Sequence, residues 1–202
     1  MIIPVDKEKV INEFKAKYVE NRYEAEVSKI YERFNGNKEE RKDNIKEEII
    51  NNFKKLCSYS IELQKKGLKG VIQFIHISYL RTSLMENRGI YRIDIYDDRW
   101  FVDKEECYTN LNLDFIFQSL FSHISELEQH KKEYGRTITE MDIERIKLKE
   151  ADKYNDLAIK IFKSMIDDFI ECDEYKDMKK HEEIMILAGE YKDEAILLYE
   201  SN

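Results

Sequence analysis

Proline occurs once in the 202 residues and glycine six times, so the chain has few places to turn and long helices are expected. Cysteine is equally scarce. Cys57, Cys107 and Cys172 lie about 50 and about 65 residues apart, which fits neither a secreted disulfide framework nor a zinc site. No run approaches the roughly 18 uninterrupted apolar residues of a membrane span. The first residues, Met1-Ile2-Ile3-Pro4-Val5-Asp6, lack the basic and apolar regions of a signal peptide. A cytosolic location with reduced thiols and no membrane partner is expected. A basic excess is also missing: 34 Lys plus Arg stand against 42 Asp plus Glu, a net charge of −8, which argues against direct nucleic-acid binding. Alanine is rare at 6 residues, while Ile occurs 26 times and Lys outnumbers Arg 25 to 9, a usage typical of an AT-rich bacterial or phage genome.

What is present suffices for a fold. Hydrophobic residues make up 42% and aromatics 12%, too apolar for a disordered chain despite 38% charge. A chain of this length can bury a core without staples. Ile11, Phe14, Tyr18, Val27, Ile30 and Phe34 keep mostly helical spacing up to Asn35-Gly36, predicting a helix over 6–34. Asn37 with Glu40 reads as a capping box, and the stripe Ile45, Ile49, Phe53, Leu56, Ser60 and Leu63 predicts a second helix over 38–66, stopped by Gly67. Residues 68–86 are apolar on nearly every side and read as a buried central helix; 71–77 could also be a buried strand, but the length to Gly89 favours the helix.

Between Ile90 and Asp103 the period changes to two. Tyr91, Ile93 and Ile95 alternate with Arg92, Asp94 and Tyr96, predicting a hairpin turning at Asp97-Asp98, with Ile95 opposite Trp100, Ile93 opposite Val102 and Arg92 facing Asp103. Beyond it, Asn112 can cap a helix ending at Gly135, Thr139 with Asp142 opens another, and the apolar residues from Met178 to Tyr199 suggest a last helix over 175–200. The expected fold is mainly α: a single bundle-like domain, 1–202, of about six helices and one small β-hairpin near 90–103. A weaker division sets 139–202 apart as a C-terminal helical pair.

Familiar catalytic signatures are missing. Carboxylate-bridged di-metal bundles need Glu-x-x-His pairs, and His76, His123, His130 and His181 are preceded at that spacing by Gln73, Leu120, Leu127 and Met178. His123, Glu126 and His130 share one helix face and form at best an incomplete metal site. There is no Gly-x-Ser-x-Gly, no Walker A loop and no Gly-x-Gly-x-x-Gly. Cys107 follows Glu105-Glu106, whose charge should blunt its nucleophilicity. No cofactor is implied.

One local concentration stands out. Four of the nine arginines, Arg81, Arg88, Arg92 and Arg99, fall between residues 76 and 100 with His76, Tyr79, Tyr96, Asp94 and the only tryptophan, Trp100. Planar arginines beside Tyr and Trp suit recognition surfaces. The competing reading is structural, with Arg92 paired to Asp94 or Asp103, Arg81 paired across the core and Trp100 simply packed. The block His76-Ile77-Ser78-Tyr79-Leu80-Arg81-Thr82-Ser83, with Tyr91-Arg92-Ile93-Asp94-Ile95-Tyr96-Asp97 and Trp100, resembles one in proteins of low-GC Gram-positive bacteria over residues 75–108; that resemblance implies no activity.

Three functions follow from these features. The first is a non-enzymatic protein-interaction or regulatory module that uses the 76–103 surface or the acidic last third. The second is an enzyme or ligand binder with a pocket between the central helix 68–86 and the hairpin, using His76 as acid/base, Arg81 as anion anchor and Tyr79 or Asp94 as support. The third treats residues 137–202, with 18 acidic against 10 basic groups, as a nucleic-acid mimic presenting Asp167, Asp168, Glu171, Asp173, Glu174 and Asp177.

Overall fold

The computed structural model describes residues 6–36 and 45–201. In chain order these form α1 (Lys7–Tyr18), α2 (Arg22–Asn35), α3 (Ile45–Lys65), β1 (Ile72–Tyr79), α4 (Arg81–Met85), β2 (Ile90–Asp97) and β3 (Tyr108–Asn112). They continue with α5 (Asp114–His130), α6 (Glu140–Ser164), α7 (Ile166–Ile170), α8 (Asp173–Asp177), β4 (Lys180–Glu190) and β5 (Ala195–Glu200). The fold is therefore mixed α/β with a five-stranded sheet, which corrects the expectation of an all-α helical bundle carrying one hairpin. The chain divides into two compact units, the residues up to Arg33 with Phe115–Leu157, and Phe34–Asp114 with the residues from Ala158 onward.

The first unit is helical. Asp6 caps α1, its carboxylate accepting from Lys9 N at 3.2 Å. The single helix expected over 6–34 is broken, because Asn21 takes the left-handed conformation (φ 65°) between α1 and α2. Thr139 and Asp142 form the expected reciprocal cap of α6: Asp142 N donates to Thr139 Oγ1 at 3.3 Å and Thr139 N to Asp142 Oδ2 at 2.8 Å. Lys7 holds the same carboxylate at 2.9 Å. Burial alone would push the Asp142 carboxyl up; the bonds from Thr139 and Lys7 outweigh it and hold it at about 2.

The second unit is built on the sheet, in the order β3-β2-β1-β4-β5. β1 lies antiparallel to β2 and parallel to β4, and the outer pairs are antiparallel. Central β1 alternates, Ile75, Ile77 and Tyr79 against His76 and Ser78, but Val71, Ile72, Phe74, Leu80 and Leu84 on either side of that alternation give 68–86 the look of one long apolar helix. Its length was misleading too, because the apolar residues past Tyr79 belong to the separate five-residue α4.

One face of the sheet pairs Ile75 with Ile95, Ile77 with Ile93 and Tyr79 with Tyr91. All six are at most 2% exposed, and each buried Ile contributes about 1.5–3 kcal/mol. The Tyr91 ring meets Phe162 near the end of α6 at 5.5 Å. Of α3, the residues Ile49, Phe53, Leu56, Ser60 and Leu63 are buried, as their spacing predicts, and Phe53 stacks on Phe169 of α7 at 4.4 Å. The proposed cap at Asn37 and Glu40 lies outside the described residues.

Two further corrections concern strands. β2 does not fold back on 99–103. Its partners are β1 and β3, with Arg92 opposite Asn110, Ile93 opposite Thr109 and Ile95 N donating to Cys107 O at 2.8 Å. Residues Trp100–Val102 form a single 3-10 turn instead. The helix expected over 175–200 is the β4–β5 hairpin: Ile184, Ile186 and Ala188 alternate into the core, and a helical reading of Glu, Met, Leu and Ala lost to that packing. At its turn the two backbones come so close that a Cβ on Gly189 would lie 2.1 Å from Glu194 O and 2.7 Å from Ala195 Cα. Gly189→Ala should therefore lower stability by about 1–3 kcal/mol. A thermal melt of the variant that overlays the parent would refute this reading of the turn.

Candidate functional site

The opposite face of the sheet brings together His76, Arg92, Asp94, Tyr96 and Trp100 of the residues that the sequence singles out. Here Phe74 pairs with Tyr96, His76 with Asp94 and Ser78 with Arg92. His76, Asp94 and Ser78 are at most 2% exposed, whereas Phe74, Tyr96, Trp100 and Phe101 remain half-buried. The Trp100 ring stands edge-on to Phe74 at 3.8 Å and to Phe101 at 4.9 Å, with Tyr96 at 6.0 Å.

Asp94 is held by Arg92, whose Nε lies 2.9 Å from each carboxylate oxygen and whose Nη2 lies 2.7 Å from Oδ1. Burial works against the Arg92 charge, but Asp94 more than restores it and the guanidinium is held more firmly protonated than usual. The same guanidinium lies 3.6 Å from the centre of the Tyr108 ring and 5.3 Å from that of Tyr191, a cation sandwiched by two aromatics. Tyr96 is pushed up by burial and by the Asp94 charge, so its hydroxyl stays protonated at neutral pH.

His76 Nδ1 shares a hydrogen bond with Ser78 Oγ at 3.0 Å, and Nε2 is buried with no partner. Burial lowers its pKa below 6.5 against the opposing pull of Asp94, so the ring is neutral. A neutral imidazole with one idle nitrogen could accept or donate one further hydrogen bond.

The loop bearing Trp100 is fixed by charges. Lys69 Nζ meets Asp103 Oδ2 at 2.6 Å with both side chains fully buried, and donates to Glu105 O at 2.7 Å. Asp97 accepts from Arg99 Nη2 at 2.5 Å, Arg99 N at 3.1 Å and Gly70 N at 3.0 Å; Arg99 also reaches Asp103 at 3.1 Å. Burial would raise the Asp97 pKa, yet these donors carry it below the usual carboxylate range. Between the two anchors Trp100 adopts φ +54°. A bulky residue in that region stores strain that only an over-determined surrounding sustains.

The remaining predicted residues go elsewhere. Tyr79 points to the helix-covered face, 5.5 Å from Tyr91. Arg81 Nη2 donates to Glu190 Oε1 at 2.5 Å at the strand end. Arg88 lies exposed before β2, its N–H bonded to Ser83 O at 2.9 Å. His123 Nε2 meets Tyr18 O at 2.7 Å, Glu126 pairs with Arg22, and His130 stacks on Tyr18 at 4.1 Å and bonds Glu133 at 3.2 Å. Among the described residues no three His, Cys, Asp or Glu side chains converge as a metal site. Asp168 pairs with Lys46 at 2.7 Å and Glu171 with Lys176 at 2.5 Å. Cys107 is pushed up to about 12 by burial first, with Lys69 opposing, so its neighbours Glu105 and Glu106 are not what blunts it. No described helix is long and apolar enough to cross a membrane.

Sequence reasoning missed Lys69, Gly70, Tyr108 and Tyr191. The three aspartates around Arg99 were a visible signal of the anchor, whereas Tyr191 sits about a hundred positions from Arg92 and joins it only through the β1–β4 pairing.

Two outcomes test this description. Lys69→Met should cost up to about 3–5 kcal/mol in urea denaturation by removing the buried partner of Asp103 and leaving it the part-exposed Arg99, and Lys69→Met with Asp103→Leu should recover part of it. A single variant as stable as the parent would show the pair to be dispensable. For His76, the unfolded chain takes up its proton near pH 6.5 while the folded chain resists, so its share of stability is present above 6.5 and lost as the pH falls through the lowered folded value. His76→Phe should make the drop in Tm between about pH 7.5 and about pH 5 shallower, leaving the pull in the same direction of buried His123.

Comparison of the chain with family models, with curated proteins and with solved structures returns no match, so the site stands on its own geometry.

Proposed function

We propose that the protein is a non-enzymatic interaction module, binding another protein through the sheet face centred on Trp100. One observation carries the reading. A half-buried tryptophan is held at φ +54° between two ion-paired anchors, one of them fully buried, although relaxing the backbone there would relieve strain. Holding an aromatic side chain in one orientation before a partner arrives lowers the entropic cost of contact. Trp, Tyr and Arg are also the residues that dominate binding energy at interfaces, and Trp100, Tyr96, Tyr108 and Arg92 lie together here.

A small-ligand reading retains the partnerless Nε2 of His76, buried behind Trp100 and Phe101 at ring distances of 6.3 Å and 6.1 Å. Of the other groups it needs, Asp94 lies opposite His76 but is held by Arg92, Tyr79 is on the opposite face and Arg81 is engaged with Glu190. The interaction reading asks for no such convergence.

Immobilised chain and its Trp100→Ala variant, challenged with extract of the host cell, provide the test. Proteins held by the parent should be retained about tenfold less by the variant, as expected for a hot-spot residue, while Lys149→Ala on an exposed helix position retains them. Circular dichroism checks that the variant is folded. The same proteins held equally by parent and Trp100→Ala would overturn the proposal.

A further inference from the structure

The β4–β5 hairpin leaves one edge of the sheet open. β5 ends the strand order and pairs with β4 alone, so among the described residues its outer side meets no strand. Glu190 N donates to Glu194 O at 3.1 Å, and Ala195, Ile196 and Leu197 then lie opposite Gly189, Ala188 and Leu187. The alternation of an antiparallel ladder therefore turns the main-chain N–H and C=O of Ala195 and Leu197 outward. Along this edge runs Ala195-Ile196-Leu197-Leu198-Tyr199, with Ile196 56% and Leu197 46% exposed on opposite faces. Edge strands are commonly blocked by proline, lysine or a bulge; residues 195–200 contain neither of those residues, and the one slip in pairing, at Leu198, falls beyond Ala195 and Leu197.

Charge specifies what could pair there. Exposed Asp193 and Glu194 precede the apolar stretch and exposed Glu200 follows it, with exposed Glu182 and Glu183 on the β4 side of that end. Lys192 is the nearby exception. A second copy of the chain fits poorly: a two-fold pairing centred on Leu197 sets Glu194 opposite Glu200 in both halves, and like charges directly opposite are destabilising. The other edge, β3, is a weaker dock, because it is shorter and polar and its last residue Asn112 is engaged with Asp114.

We propose that β5 receives, by strand addition, an extended segment of another protein with an apolar, β-branched centre and lysine or arginine at its ends. Main-chain bonds to Ala195 and Leu197 supply the pairing, and the acidic ends select the sequence. The inference does not rest on the Trp100 face: the extract assay reads Trp100 and the following assay reads β5, so either can fail alone.

The probe is a fluorescein-labelled peptide, Lys-Lys-Val-Thr-Val-Thr-Val-Lys-Lys, titrated with the full chain by anisotropy, beside a counterpart flanked by glutamates. The lysine peptide should bind about tenfold or more tightly than the glutamate one, and the difference should shrink as salt rises. Leu197→Pro removes an outward N–H that β4 does not use, and should weaken binding by about tenfold. Should that variant lose the hairpin, amide exchange on the parent decides: the peptide should slow exchange at Ala195 and Leu197. Equal binding of both peptides, no binding, or protection confined to other residues would overturn the proposal. So would sedimentation showing a dimer that Leu197→Pro dissolves.

Discussion

β1 has hydrogen-bonded neighbours along both edges and packed side chains on both faces, and every other part of the sheet unit takes its position from that strand. Its odd-numbered residues from Ile75 to Tyr79 face the core against β2, and its even-numbered residues set the polar row His76 and Ser78 against Asp94 and Arg92. A shift of one residue would exchange these two sets and bury the charges among isoleucines. The bulge near Gln73, where the pairing with both β2 and β4 slips, absorbs the mismatch before this alternation starts.

The polar row could not stand uncovered in a sheet of this size, and its cover is a short 3-10 turn rather than a helix. A turn has no continuous backbone ladder of its own, so ion pairs perform that service. Lys69 and Asp103 are buried together; Asp97 collects donors from Arg99 and Gly70. Gly70 is small for a local reason, since a Cβ there would sit 3.1 Å from Asp97 Oδ2. Buried pairs of this type add little net stability over apolar replacements, and their effect is to define one conformation. Here the conformation defined is that of Trp100.

Local chemistry was legible in the sequence where a single element determined it. The α3 stripe, the Thr139–Asp142 cap and the Gly67 stop at φ 70° all follow from neighbours within a few residues. Period two over 90–97 identified β2 correctly, but its partner was assigned to the nearest apolar stretch, and the true partners were β1 and β3. β1 and β4 read as helices from sequence because the apolar residues of each run on into the neighbouring elements, and the strand that β1 pairs with in parallel, β4, is remote. Of the candidate residues, His76, Arg92, Asp94 and Tyr96 share a face because strand alternation placed them there, and Trp100 joins them from the 3-10 turn that follows β2. Tyr79, one position out of phase with His76 and Ser78, falls on the other.

The parallel pairing of β1 with β4 joins Ile72 to Lys180 and Tyr79 to Glu190. About a hundred residues separate the two strands, so the pair at the centre of the sheet closes the longest loop of any strand pairing in the sheet. During synthesis, β1, β2 and β3 emerge well before β4, and until β4 arrives the inner edge of β1 is a free strand edge with an isoleucine-rich face. The chain is thus most exposed to misassociation in the interval between making its third strand and its fourth, and the helices synthesised in that interval determine how long it lasts.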